Sequence, residues 1–291
     1  MQTRRHFLGG LSAALAVSHA RGAAPSGATP PGASPWQLGC YTRPWAEHDY
    51  RVALDAIAAA GFTNAGLMTA KSKNGLIISA ETTPDEAAAV GHEARQRGLG
   101  LLSLWGGGFP LDKPDGLRRL IDNAAACGCP NLLLGGTDAK SADAYYALVA
   151  RCCDYAAGKK VGLSVKPHGG TNATGAQCRA LIDRVGHAGF RLWYDPGNIF
   201  YYSGGALDPA DDAASVDGLV AGMSVKDFRP PKEVALTPGT GRVDFAKVFA
   251  RLKRGGFTRG PLVVECLAPG DLPHLAAEAV KARAFLAALT A

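Results

Sequence analysis

The amino-acid sequence predicts a closed (β/α)8 barrel, and three observations carry that reading. Short apolar runs alternate with amphipathic segments eight times from Trp36 onward, and strands that alternate with helices imply parallel βαβ units. Residues 36–291 have the length of one such barrel, which takes about 250 residues as a single domain. Charged residues also end several of the apolar runs, at the strand exits where a barrel gathers its chemistry. An open doubly wound sheet is the runner-up, weakened because no dinucleotide-type glycine fingerprint follows the first strand.

In chain order, strands are predicted over 37–40, 64–68, 100–105, 131–134, 162–166, 191–194, 222–225 and 261–265. The helical patterns fall over 51–60, 84–97, 116–126, 142–157, 175–187, 211–220, 244–253 and 272–289. Glycines at 61, 98 and 256 stand just past three of those helices, where a left-handed residue closes the last turn.

Ahead of the barrel, Arg4 and Arg5 precede an uncharged stretch from Leu8 to Val17 and small residues near Ala20 to Ala24. That order predicts a twin-arginine signal peptide over 1–24, and with it export to the periplasm through the twin-arginine machinery. The apolar stretch is far shorter than the roughly 20 residues a bilayer crossing needs, so no stable membrane anchor is expected. A Pro/Gly-rich tether follows over 25–35.

The formal charge is +6, and removing the three leader arginines leaves 28 basic residues against 25 acidic, a net of +3. Lys and Arg are not clustered among aromatics, so nucleic acid is excluded as a partner on electrostatic grounds. Seven cysteines, an odd number without regular spacing, argue against a disulfide framework. They read as small buried hydrophobes, with one disulfide left open.

Four strand exits carry unusual polar content: Lys166-Pro167-His168-Gly169-Gly170, Asp195-Pro196-Gly197-Asn198, Ser224-Val225-Lys226-Asp227-Phe228-Arg229, and Glu265 after Leu262-Val263-Val264. An unpaired charge at such a place costs several kcal/mol. Lys166, Asp195, Lys226 and Glu265 are therefore expected to meet one another, a ligand or a metal at one mouth.

Here the chain resembles the xylose-isomerase-like barrels of the sugar phosphate isomerase/epimerase type. The resemblance rests on Asp195-Pro196-Gly197-Asn198, on Val225-Lys226-Asp227, on Gly239-Thr240-Gly241-Arg242-Val243-Asp244-Phe245 and on Glu265. It implies proton transfer next to a carbonyl of a small carbohydrate, assisted by a divalent ion (Mn, Mg or Zn) held by carboxylates and a histidine. By position Asp195 and Glu265 match metal ligands, with Glu265 also an acid/base. Two positions depart: Lys166 stands where the family has a glutamate, and Ser224 where it has a histidine. Either His168 replaces the missing ligand, giving a His168-Asp195-Glu265 metal set, or Lys166 takes over the charge of the metal. The first is adopted here and the second stays open. Lys166, Lys226 and His168 join Glu265 as expected catalytic groups.

Tyr41, Trp105, Asn198 and Arg229 are the expected substrate contacts, with Trp45, Tyr201 and Tyr202 as further stacking faces and Trp193 equally a core residue. Gly239 and Gly241 offer a phosphate cradle, although a periplasmic address disfavours a phosphorylated substrate. The related readings are a keto-sugar or glycoside lyase or dehydratase, and a non-catalytic periplasmic sugar-binding protein. A DNA-repair endonuclease of the same superfamily needs many more histidine ligands than this chain places at strand exits.

Overall fold

A computed structural model describes residues 34–113 and 115–291. The expected signal peptide and all but the last two residues of the tether lie outside the described residues.

Eight strands form one closed parallel barrel in sequence order. They are β1 (Trp36–Tyr41), β2 (Asn64–Leu67), β3 (Gly100–Trp105), β4 (Asn131–Leu134), β5 (Gly162–Val165), β6 (Phe190–Tyr194), β7 (Val220–Val225) and β8 (Gly260–Val264). The barrel closes where β1 pairs with β8, in a register that runs from Trp36 opposite Gly260 to Cys40 opposite Val264. The helices are α1 (Tyr50–Ala59), α2 (Pro84–Gln96), α3 (Asp115–Cys127), α4 (Ala142–Gly158), α5 (Gly175–Val185), α6 (Pro196–Tyr202), α7 (Pro209–Asp212), α8 (Phe245–Arg254) and α9 (Leu272–Leu289). The open sheet is thereby excluded.

Helix starts are set by side chains that take up otherwise unpaired backbone amides. Asp49, Asp195, Asp208, Asp244 and Asp271 cap α1, α6, α7, α8 and α9, each accepting from an amide two or three residues on. Thr83 with Glu86 and Thr174 with Gln177 form full capping boxes at α2 and α5. Each such cap stabilises its helix by about 1 kcal/mol.

One predicted helix is corrected. Residues 211–220 do not form a single helix; α6 and α7 precede a 3-10 turn, Ala213–Val216, in that part of the chain. The Asp195-Pro196 pair is itself a helix start, with the carboxylate as cap and proline at the first position, where its missing N–H costs nothing. Left-handed Gly204 and Gly205 end α6, and Asp208-Pro209 restarts the chain as α7.

Tyr41, Met68, Leu102, Leu133, Trp193 and Val263 fill the barrel interior. Gly66 and Gly222 make room for two of these rings: a Cβ at either would collide with Tyr41 or Trp193 respectively. A larger apolar core lies between strands and helices. All seven cysteines are buried and unpaired, as their composition suggested. Among the described residues, no helix is long and apolar enough to cross a membrane.

Candidate active site

Glu265 follows β8 directly, Lys166 follows β5, Asp195 follows β6 and Lys226 follows β7, so the parallel barrel delivers all four to its C-terminal mouth. All four are buried. Glu265 Oε1 accepts from Arg43 Nη1 at 2.6 Å and from Lys226 Nζ at 2.8 Å. Its Oε2 accepts from Ser224 Oγ at 2.8 Å and from Lys166 Nζ. Four donors saturate the four lone-pair sites of a carboxylate.

Lys166 also approaches Asp195 Oδ2 at 2.8 Å as an ion pair, while Asp195 Oδ1 accepts from the Asn198 amide at 2.9 Å. Asn198 in turn holds Lys226 Nζ on Oδ1 at 3.0 Å and donates to the Pro167 carbonyl at 2.6 Å. It therefore ties the β5, β6 and β7 exits together.

Burial alone would raise the Glu265 carboxyl, but Lys166, Lys226 and Arg43 outweigh it and hold the group well below the usual carboxylate range. Burial would lower Lys226; Glu265 and Asp195 reverse that and raise it. His168 lines the cavity and is exposed. Desolvation, reinforced by the charges of Lys166 and Lys226, pushes it down to about 4, so it is neutral at physiological pH.

The expected metal set is corrected. Among the described residues no group of three His, Cys, Asp or Glu side chains is arranged to hold a metal ion. The residues present do not fit one: Glu265 has no free lone pair, Asp195 is shared between a helix cap and Lys166, and an ammonium lies between the two carboxylates. In this arrangement Glu265 has no free lone pair with which to accept a proton. It orders the cations around it instead.

Trp105, His168 and Tyr202 form a row of flat rings, with centroids 5.5 Å apart from Trp105 to His168 and 5.7 Å from His168 to Tyr202. The row borders two lobes of the mouth that share Arg43 and His168. One lobe, about 230 Å³, is lined by Arg43, Met68, Thr69, Trp105, Lys166, His168 and Glu265. The other, about 140 Å³, is lined by Arg43, His168, Asn198, Tyr201, Tyr202, Lys226 and Val234. A larger hollow of about 330 Å³ between the β2 and β3 loops contains none of the clustered charges.

Trp105 and Asn198 thus reach the mouth as expected. Tyr41 does not: it is fully buried in the barrel interior, pointing inward from β1 beside Gly66. Arg229 is also misplaced, because its exposed guanidinium pairs with Glu233 at 3.0 Å and turns to the Thr240 carbonyl. Trp45 and Trp193 are core residues. The phosphate cradle is overturned too. The amides of Gly239 and Gly241 both donate to Asp227 Oδ2, at 2.9 and 2.8 Å, and Asp227 Oδ1 takes the amides of Phe228 and Val243.

Sequence reasoning missed Arg43. It follows β1 in Thr42-Arg43-Pro44-Trp45, a charged residue at a strand exit like the others. The same criterion applied to the first strand finds it.

The family model described as xylose isomerase-like TIM barrel matches residues 54–289. Among solved structures, a xylose isomerase domain protein from Planctomyces limnophilus aligns with a TM-score of 0.69 at 18% identity, covering 87% of this chain and 97% of that one. D-allulose 3-epimerase from Methylomonas sp. aligns at 0.68 and 18% identity, covering 88% and 99%. D-psicose 3-epimerase from Clostridium cellulolyticum H10, solved with D-tagatose, aligns at 0.69 and 13% identity, covering 87% and 99%. At these identities the likeness is one of fold. No curated protein matches the chain.

Proposed function

Because the chain belongs to the xylose isomerase-like TIM barrel family, we propose that it is a sugar isomerase or epimerase-like enzyme whose clustered cations stand in for a metal. One observation carries the reading: Lys166, Lys226 and Arg43 converge on Glu265 at the barrel mouth, beside the Trp105–His168–Tyr202 row.

The chemistry follows from that placement. A sugar ring lies against the aromatic row, with its carbonyl oxygen toward the ammonium and guanidinium groups. Neutral His168 takes the proton from the neighbouring carbon, and the C–H electron pair moves onto the carbonyl oxygen as an enediolate. Fixed positive charges in a site of low polarity stabilise that oxyanion without reorganising. Return of the proton to the former carbonyl carbon, with the hydroxyl proton passing from one oxygen of the enediol to the other, isomerises the sugar, and return to the original carbon from the opposite face epimerises it. Loss of a leaving group from the β carbon is the lyase outcome of the same intermediate.

Saturation of Glu265 favours a second reading, a sugar-binding barrel without catalysis, since that carboxylate has no lone pair left for a proton. Incubation with free keto-sugars in D2O decides between them. Deuterium entering at the carbon next to the carbonyl, and lost in His168→Gln, supports the enzyme. Saturable binding without exchange supports the binder.

Export by the twin-arginine route belongs to the same proposal. Retention of the Arg4→Lys, Arg5→Lys double variant in the cytoplasm, while the parent fractionates with the periplasm, is the expected result.

A further inference from the structure

The cluster is unbalanced. Arg43, Lys166 and Lys226 bring three positive charges, and Glu265 and Asp195 bring two negative ones. Asp227 does not correct this, because its carboxylate is occupied by four backbone amides. Arg43, whose side chain is 39% exposed, turns the surplus positive charge toward the cavity, where an anion would complete it.

The surplus has an address. The 140 Å³ lobe has Arg43 and Lys226 in its wall, with Asn198, Tyr201 and Tyr202, and no carboxylate. Lys232 Nζ stands over the Tyr201 ring, 5.2 Å from its centroid. The nearby acid, Glu233, is engaged by Arg229. Arg43 spends one N–H on Glu265 among the described residues, which leaves most of its planar fork for a ligand.

We infer that the smaller lobe is a carboxylate subsite and that the substrate is a sugar acid, a uronate or aldonate type, with its carbonyl in the larger lobe. The inference rests on the sugar-enzyme reading above. A monoanion matches the single surplus charge, whereas a phosphate dianion overshoots it.

Calorimetry at pH 7 with the purified chain tests this. The probes are D-glucuronate, D-galacturonate and D-gluconate, their neutral counterparts D-glucose, D-galactose and D-glucitol, and D-glucose 6-phosphate with inorganic phosphate. The expected result is at least one acid binding tenfold or more tighter than its neutral counterpart, with the margin shrinking as salt is raised. Equal affinity for acid and neutral sugar overturns the subsite and leaves the sugar reading standing. Tighter binding of the phosphates assigns the lobe to phosphate and overturns the carboxylate. No binding by any probe overturns both readings.

Val234 lines the lobe, so Val234→Asp places a carboxylate where the ligand's would lie, to compete with it for Arg43 and Lys226. Acid binding is expected to fall tenfold or more, while Val234→Gln, polar but uncharged, is expected to keep it. Undiminished acid binding in a folded Val234→Asp protein, or equal loss in Val234→Gln, sinks the assignment.

Discussion

Arg43 and Glu265 meet at 2.6 Å although 222 positions separate them in the chain. The contact forms because β1 and β8 are neighbours in the closed barrel, so the first and last strands deliver their exits side by side. A carboxylate that gathers one guanidinium, two ammonium groups and a hydroxyl behaves as a structural counter-ion, and several consequences follow.

Removing that counter-ion leaves Arg43 without its acid and Lys166 and Lys226 with Asp195 alone. Glu265→Ala is expected to lose about 3–5 kcal/mol of stability, the usual cost of leaving a buried charge unpaired. Glu265→Gln keeps the shape but not the charge and is expected to be destabilised as well. Urea denaturation followed by circular dichroism checks both. A variant as stable as the parent contradicts the counter-ion role.

Metal chelation separates this site from a metal-dependent one. Dialysis against EDTA is expected to leave both the melting temperature and any sugar-dependent deuterium exchange unchanged, and added Mn²⁺ or Mg²⁺ to raise neither. Activity that vanishes with EDTA and returns with Mn²⁺ defeats the ammonium-for-metal account.

Acid acts on His168 before it acts on Glu265. The folded His168 sits near 4 against an ordinary value of 6.5, so between those limits the unfolded chain holds more protons than the folded one. Stability contributed by neutral His168 is present above about 6.5 and is lost as pH falls toward 4. Glu265 is depressed further, so its contribution persists to lower pH and goes only as pH falls below the ordinary carboxylate range. Denaturation curves from pH 4 to 7 are expected to slope less for His168→Gln than for the parent. Identical slopes remove His168 from the account.

Asp227 organises the loop ahead of α8 through four amide donors. Asp227→Asn offers at best one acceptor oxygen where two are needed, and it turns an NH2 toward amide N–H groups. Faster hydrogen exchange at 237–243 and a loss of about 2–4 kcal/mol are expected. Unchanged exchange there means that the loop is held by other contacts.

The barrel was legible because strand and helix periodicities differ and each unit repeats the same burial pattern. Terminal positions and the Asp195-Pro196 helix start were harder, since Asp-Pro-Gly serves a turn and a helix cap equally well. Lys166, Asp195, Lys226 and Glu265 were visible as charges ending apolar runs, which physics allows only where they meet. Their roles were not visible. Whether a carboxylate binds a metal or cations depends on which donors fill its lone pairs, and Ser224 and Arg43 supply two of the four. Tyr41 misled for a related reason: it points inward as a mouth residue does, but sits a layer down the barrel among Met68, Leu102, Leu133, Trp193 and Val263.

The seam between β1 and β8 also orders events in time. During synthesis the guanidinium emerges early and waits for its carboxylate until the final strand leaves the ribosome, so no shorter nascent chain contains the assembled cluster. A polypeptide cut or stalled before position 265 is left with cations lacking their principal acid.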